Sequence, residues 1–252
     1  MSKASIALFL FSTVSVLGLS VSTSKRKPPV KAIFFDCDDC LYQDNWYVAG
    51  KLTEAIESFC TTELGLPSGK AYDLYKEHGT ALLGLLNEGL LERSAVDNYL
   101  KVVHDIQVKE HLRPDPKLRE LLLRIDPSIK TYIFTASVKH HAVECLKALG
   151  IYDLFEDRII DTKVCKLATK HSASSFLAAM DFANLPPSSS PSCVFFDDSP
   201  KNLAVASELG WRPVLVGLKG RDTGEDVVCE GAEKRIQSIH SLFEAIPELE
   251  RR

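Results

Sequence analysis

The sequence predicts an α/β fold, a doubly wound parallel sheet with a Rossmann-like core, and a small helical cap domain inserted after the first strand. Two observations carry this prediction. First, short apolar runs typical of buried strands alternate with segments of helical periodicity, as in parallel sheets. Second, residues from about 46 to 113 contain helical patterns only. The apolar runs are Val30–Phe35, Thr131–Thr135, Arg158–Ile160, Cys193–Phe196 and Pro213–Val216.

The composition is that of a globular enzyme. The 252 residues are 45% hydrophobic and 25% charged, which excludes a disordered chain and a multi-span membrane protein. Thirty Lys and Arg residues stand against 34 Asp and Glu residues, for a formal net charge of −4. Because such a chain offers no general basic surface, we expect no nucleic-acid polymer as a partner. The sequence indicates no oligomeric state.

The first 29 residues are predicted to lie outside the fold. Lys3 precedes the apolar run Ala4–Val21, and Pro28-Pro29 separates this run from the first strand. The segment is typical of a secretory signal, an organelle transit extension or an uncleaved anchor. If it is uncleaved, residues 4–21 are the expected membrane contact.

The cysteines bear on where the protein works. Their number, seven, is odd and their spacing is irregular, and the CxxC of Cys37 and Cys40 has no second pair to complete a zinc site. We interpret them as thiols of a reducing compartment. Together with the N-terminal segment, they favour a plastid-like organelle reached through the secretory route, or a membrane anchor that leaves the enzyme facing the cytosol.

The core is expected to comprise residues 30–45 and 114–252. Helices between the strands stop at glycines, as at Gly150 and Gly210. Apolar residues at helical spacing over Glu233–Ile246 predict a last helix that packs on the core. The other predicted core helices are His140–Leu149, Ser172–Met180 and Asn202–Leu209.

Residues 46–113 are predicted to form the helical cap over the ends of the strands. Pro114 and Pro116 mark the return of the chain to the core. The predicted cap helices are Leu52–Leu64, Lys70–Lys76, Ala81–Asn87 and Ser94–His104.

Acidic side chains follow two of the predicted strands. Asp36 and Asp38 follow the first strand, and Asp197 and Asp198 end the fourth. The carboxyl ends of parallel strands meet at one edge of a sheet. Converging carboxylates repel one another unless a cation lies between them, and Mg²⁺ prefers one or two carboxylates with waters and a substrate phosphate. The pattern therefore predicts a Mg²⁺ cofactor.

These motifs resemble those of the haloacid dehalogenase-like hydrolase superfamily, specifically its helical-cap phosphatases. The phrase FFDCDDCLYQDN at residues 34–45 is similar to the pyrimidine 5′-nucleotidase-like branch. The likeness covers essentially all of residues 30–248, and the four motifs of the family occur in order.

The resemblance implies a role for each motif. Asp36 would be the nucleophile and Asp38 the general acid and base. Thr135 and Ala136 would bind the substrate phosphate, and Lys170 would bind and neutralise it. Thr135 and Lys170 would thereby join the catalytic set. The implied metal residues are Asp36, Asp38, Asp197 and Asp198.

The lysine of the third motif has two candidates. Lys170 precedes Phe176 by six residues, as in the family, although His171 stands where the family has proline. Lys166 follows a cysteine, as the family lysine often does, but lacks the phenylalanine. The spacing favours Lys170.

Two further residues depart from the family pattern. Cys40 stands where the first motif usually has threonine, and Ala136 stands where asparagine often follows the threonine of the second motif. A thiol is a poorer hydrogen-bond partner than a hydroxyl, so the nucleophile would be less firmly oriented. His140 and His141 are interpreted as residues of a helix start rather than as ligands.

The resemblance implies a Mg²⁺-dependent phosphomonoester hydrolase that acts through an aspartyl-phosphate. Asp38 favours a phosphatase over a dehalogenase, because a departing halide needs no proton. The expected substrate is a small phosphorylated metabolite, such as a nucleoside 5′-monophosphate. The alternatives are a sugar or vitamin phosphate, or a non-catalytic binding protein that retains the fold.

Overall fold

The computed structural model describes residues 27–220 and 224–251. Within them, six parallel strands form one sheet in the order β3-β2-β1-β4-β5-β6. The chain order reverses at β1, which confirms the predicted doubly wound sheet. The strands are β1 (Ala32–Phe35), β2 (Lys130–Phe134), β3 (Ile159–Ile160), β4 (Cys193–Asp197), β5 (Arg212–Val216) and β6 (Lys234–Ile236).

The central strand β1 is buried on both faces of the sheet. Ile33 and Phe35 pack into one hydrophobic cluster, and Ala32 and Phe34 pack into another on the opposite face. A strand covered on both faces needs a continuous apolar run, which is what the sequence offers here. Full burial of a large apolar side chain stabilises the fold by about 1.5–3 kcal/mol. This packing fixes the strand, and with it the position of Asp36.

Helices cover both faces of the sheet. Residues of α5, α6 and α9 belong to one core cluster, and residues of α7 and α8 belong to the other. Helix α5 was not predicted: Pro116 begins it, and the Asp115 side chain caps it by accepting a hydrogen bond from the backbone N of Leu118 at 2.9 Å. The core helices are α5 (Pro116–Leu123), α6 (Lys139–Leu149), α7 (Ala173–Phe182), α8 (Pro200–Glu208) and α9 (Leu242–Ala245).

The segment after β1 forms the helical insertion. Its helices share a hydrophobic cluster of their own, which also takes in Val138 from the loop after β2. Lys163 Nζ, from the loop after β3, lies 2.6 Å from Asp97 Oδ1 of the insertion. The cap therefore rests on loops at the carboxyl end of the sheet, while its boundaries at 46 and 113 stay a prediction. Its helices are α1 (Tyr47–Thr62), α2 (Lys70–His78), α3 (Ala81–Asn87) and α4 (Val96–Val103).

The prediction of one helix over Glu233–Ile246 is wrong. Residues Lys234–Ile236 form β6, and only Leu242–Ala245 are α-helical. The open edge of β5 offers backbone hydrogen bonds, and the N–H of Gly217 donates to the carbonyl of Ile236 at 2.9 Å. Pairing there satisfies backbone groups that a helix would leave open. The segment still packs on the core, as expected, because Ile236 and Leu242 are buried.

In the part of the chain that the structure describes, no helix has both the length and the apolar character needed to cross a bilayer. The run Ala4–Val21, predicted to be a signal, transit or anchor segment, lies outside the described residues.

Candidate active site

The sheet register brings the two acidic strand ends together. Phe35 of β1 pairs with Phe196 of β4, and the N–H of Asp36 donates to the carbonyl of Phe196 at 2.9 Å. Asp36 directly follows Phe35, and Asp197 directly follows Phe196. The two aspartates are therefore neighbours at the same edge of the sheet. The adjacency arises from the register of the apolar residues that pair β1 with β4.

Three of the predicted metal residues form a group that we call the carboxylate cluster: Asp36, Asp197 and Asp198. One oxygen from each lies within 4.8 Å of the others. The fourth, Asp38, is not in this cluster. Its carboxylate lies instead within 4.8 Å of the thiols of Cys37 and Cys145.

Lys170 lies inside the carboxylate cluster. Its Nζ is 2.8 Å from Asp36 Oδ1 and 2.6 Å from Asp197 Oδ2, and the side chain is buried. The other lysines of the segment lie elsewhere, since Lys166 is exposed and Lys163 pairs with the cap. Of the two motif candidates, the structure thus brings Lys170 to the acidic strand ends.

The two adjacent aspartates of β4 and its loop differ in their surroundings. Asp197 is completely buried, and its Oδ1 accepts hydrogen bonds from the backbone N of Ser199 at 2.8 Å and from Asn202 Nδ2 at 2.9 Å. Its Oδ2 accepts from Lys170 and, at 3.1 Å, from Asn202. Within the described ranges, the Asp198 carboxylate accepts no hydrogen bond. Asp198 therefore has free oxygen lone pairs to offer a cation, whereas Asp197 orients Lys170.

The charges of the carboxylate cluster are not balanced by the residues that the structure describes. Burial raises the pKa of Asp36 to about 8, with Lys170 opposing the rise and Asp197 adding to it. Burial, then repulsion by Asp197 and Asp36, raises the pKa of Asp198 well above its usual range. Burial alone would lower the pKa of Lys170, but attraction to Asp197 and Asp36 outweighs burial and raises it. Three carboxylates share one ammonium group, so a further cation would stabilise their ionised forms.

Asp38 sits in a different environment, which we call the Asp38 clamp: Asp38 with Tyr42, Ser137 and His141. Tyr42 donates its hydroxyl to Asp38 Oδ1 at 2.5 Å, and Ser137 donates to Oδ2 at 3.1 Å. His141 Nε2 lies 2.8 Å from Oδ1. Burial alone would raise the pKa of Asp38, but attraction to His141 and these hydrogen bonds outweigh it and hold the pKa well below its usual range. The clamp thus favours the ionised form of Asp38 without a metal.

The residues expected to bind phosphate follow β2. Thr135 is buried, and its Oγ1 accepts a hydrogen bond from the backbone N of Ser137 at 3.0 Å. Ala136 is exposed at the same strand end. Cys40 is buried, and its thiol donates to the carbonyl of Phe196 at 3.4 Å. The cysteine that replaces threonine thus still links the first-motif loop to β4 by a hydrogen bond.

The sequence did not reveal the partners of the acidic residues. His141 lies in the first turn of α6, as expected, but it is buried against Asp38 rather than being only a helix-start residue. The signal available was its spacing, because His141 precedes the buried Cys145 by four residues and Leu149 by eight, which places all three on one helix face. Asn202 follows Asp197 by five residues in the first turn of α8, and nothing in the spacing alone identified it.

Comparisons with known proteins agree with this architecture. The haloacid dehalogenase-like hydrolase family matches residues 30–210. The Saccharomyces cerevisiae protein called phosphate metabolism protein 8 is 30% identical over 211 residues, which are 75% of this chain and 62% of the yeast protein. The chain thus spans about three-fifths of that relative's length.

Solved structures show the same fold at low sequence identity. A hydrolase from Pseudomonas syringae superposes with a TM-score of 0.60 at 17% identity, over 88% of this chain and 100% of that one. The β-phosphoglucomutase of Clostridium difficile superposes with a TM-score of 0.53 at 19% identity, over 87% and 96% of the two chains. The family match spans most of the core and the whole insertion, and the chain belongs to the haloacid dehalogenase-like hydrolases.

Proposed function

We propose that this hydrolase is a Mg²⁺-dependent phosphomonoester phosphatase that acts through an aspartyl-phosphate on Asp36. The observation that carries the proposal is the carboxylate cluster, in which two buried carboxylates and the half-buried Asp198 have, among the described residues, one ammonium group beside them, that of Lys170. A phosphate dianion could not approach such a site without additional positive charge. The cluster therefore suits a substrate that arrives together with a divalent cation.

The donor set fits Mg²⁺. The available ligands are carboxylate oxygens, which hard divalent cations prefer, and no thiol or imidazole belongs to the cluster as the structure describes it. Asp36 and Asp198 would hold the ion, while Asp197 keeps Lys170 in place. When bound, Mg²⁺ would offset the negative charge of the transferring phosphoryl group.

The residues then divide the reaction between them. A carboxylate oxygen of Asp36 bonds to phosphorus while the bond from phosphorus to the leaving oxygen breaks, and the leaving oxygen takes up the proton that Asp38 carries in this step. Lys170 neutralises the charge on the phosphoryl oxygens. Water next attacks phosphorus, its proton passes to Asp38, and the bond between Asp36 and phosphorus breaks. This releases inorganic phosphate and restores Asp36.

For the substrate we propose a small phosphorylated metabolite, with a nucleoside 5′-monophosphate as the first candidate. The likeness of residues 34–45 to the pyrimidine 5′-nucleotidase-like branch supports this choice, and the name of the yeast relative associates that protein with phosphate metabolism. A sugar or vitamin phosphate would be hydrolysed by the same chemistry.

The test is hydrolysis of p-nitrophenyl phosphate by the full chain with Mg²⁺, with EDTA, and with the Asp36→Asn variant as the matched inactive control. We expect turnover only with Mg²⁺ and only with Asp36 present. No turnover by the wild type would favour the non-catalytic binding protein. Turnover that persists in EDTA would contradict the metal assignment. A panel of nucleoside, sugar and vitamin phosphates, compared by kcat/KM, would then identify the substrate class.

A further inference from the structure

The side chain of His141 has an unusual setting for a buried histidine. It is 1% exposed, its Nε2 lies 2.8 Å from Asp38 Oδ1, and its Nδ1 has no hydrogen-bond partner among the described residues. Burying a polar nitrogen without a partner is unfavourable, so packing alone would favour an apolar residue at this position. The contact with Asp38 is what the imidazole adds.

The clamp holds the two oxygens of Asp38 unequally. Tyr42 and His141 both contact Oδ1, at 2.5 and 2.8 Å, and the Cys145 thiol also donates to it at 3.9 Å. Among the described residues, Oδ2 accepts from the Ser137 hydroxyl alone, at 3.1 Å. An ionised carboxylate oxygen accepts about two hydrogen bonds. Oδ1 is therefore saturated, and Oδ2 keeps the capacity to accept a further proton. An ionised carboxylate has no hydrogen to donate. In the contact between Asp38 Oδ1 and His141 Nε2, the hydrogen therefore belongs to His141 Nε2.

We propose that His141 is a positioning residue for hydrolysis of the aspartyl-phosphate: by donating to Oδ1 of Asp38, it holds Oδ2 where it takes the proton of the attacking water. This rests on the proposed function. In the step concerned, the water oxygen bonds to phosphorus, one water proton moves to Oδ2, and the bond between the Asp36 oxygen and phosphorus breaks with its electron pair returning to Asp36. The products are inorganic phosphate, the Asp36 carboxylate and protonated Asp38.

The proposal predicts a particular kinetic signature with p-nitrophenyl phosphate. Its leaving group departs without a proton, so phosphorylation of Asp36 does not depend on the clamp, and kcat/KM reports only the steps up to that departure. Loss of the positioning contact slows the second step alone. Both kcat and KM then fall together while kcat/KM stays the same, and p-nitrophenol appears in a burst of about one equivalent per chain before a slow steady state.

Two amide variants that differ in reach provide the test. In His141→Asn the amide is too short to replace Nε2, whereas in His141→Gln the longer side chain places an N–H donor near that position. We expect His141→Asn to lose at least about tenfold in kcat, with kcat/KM within about threefold of wild type and a burst. We expect His141→Gln to recover most of the loss. His140→Asn, at the exposed neighbouring position, is the matched control and should behave as wild type.

The outcomes separate this inference from the proposed function. Wild-type chain that does not hydrolyse p-nitrophenyl phosphate with Mg²⁺ overturns the proposed function, and the inference with it. Wild-type activity with unchanged kcat in His141→Asn overturns the inference alone. So does a fall of kcat/KM in proportion to kcat, which is the signature of a merely structural role. If His141→Asn does not fold, Tyr42→Phe removes another donor to Oδ1 and must show the same combination of a lower kcat and an unchanged kcat/KM.

Discussion

The carboxylate cluster and the Asp38 clamp begin two residues apart in the chain, yet they balance charge in opposite ways. In the cluster, two buried carboxylates and the half-buried Asp198 lie around one lysine. In the clamp, one carboxylate receives two hydroxyl hydrogen bonds and the imidazole of His141. Over the described ranges, the clamp has the partners that an ionised carboxylate needs, whereas the cluster is short of positive charge. An acidic site therefore indicates a metal when its charge is unbalanced and its carboxylate oxygens lack hydrogen-bond partners. The number of acidic residues alone does not indicate one.

The largest expected effect comes from Asp36→Asn. An amide is a poor nucleophile, so we expect turnover to fall by at least about 10⁴-fold. The substitution also removes one of three crowded carboxylates, so the free energy of unfolding without metal should rise by on the order of 2 kcal/mol. Turnover assays and urea denaturation in EDTA measure the two effects. A variant that keeps wild-type turnover would show that Asp36 is not the nucleophile.

Lys170→Met should remove the only positive charge that the described part of the chain places in the cluster. Leaving buried carboxylates without their partner costs about 3–5 kcal/mol of stability, and we expect turnover to fall by about 10²–10³-fold. Added Mg²⁺ should recover part of the stability, which denaturant unfolding with and without the ion would measure. Lys166→Met is the matched control and should change neither. A loss of activity in that control instead would assign the third-motif lysine to Lys166.

The two neighbouring aspartates should respond differently to Mg²⁺. Asp198→Asn should raise the Mg²⁺ concentration for half-maximal activity by at least about tenfold, because it removes a ligand with free lone pairs. Asp197→Asn should chiefly lower kcat, since it frees Lys170, and shift the Mg²⁺ requirement less. Titration of activity with Mg²⁺ in both variants compares them. A larger shift of the Mg²⁺ requirement in Asp197→Asn than in Asp198→Asn would make Asp197 the metal ligand instead of Asp198.

The smallest effect belongs to the clamp. Tyr42→Phe removes the hydroxyl donor to Asp38 Oδ1, so we expect kcat to fall by only about threefold while His141 keeps its contact. Steady-state kinetics of this variant would measure the fall in kcat, and we expect kcat/KM to stay unchanged. A loss as large as that of Asp36→Asn would mean that Tyr42 touches the reacting atoms.

Much of the fold could be predicted because burial on both faces leaves a clear sequence signal. The run Val30–Phe35 is continuous and apolar, and the strand it predicted lies at the centre of the sheet. The strand Lys234–Ile236 could not be predicted in the same way, because two of its three side chains are exposed. Only the open edge of β5, a tertiary feature, selects strand over helix there.

The sequence predicted those site residues that lie at the ends of recognisable strands, but not their hydrogen-bond partners. Register joins Asp36 to Asp197, so their adjacency follows once both strands are recognised. The partners of Asp38 come from separate loops and a helix, and no local pattern links Tyr42, Ser137 and His141. The division of roles between Asp197 and Asp198 likewise depends on which one the Asn202 side chain reaches, and that is decided by the position of α8.

The most direct test of the account is beryllofluoride binding to the full chain, followed by ¹⁹F NMR and by solving the structure of the complex. We expect one beryllofluoride group per chain, bonded to a carboxylate oxygen of Asp36, formed only with Mg²⁺ present and absent in Asp36→Asn. A group bonded to another residue, or one that forms equally well in EDTA, would contradict the aspartyl-phosphate mechanism at this metal-assisted site.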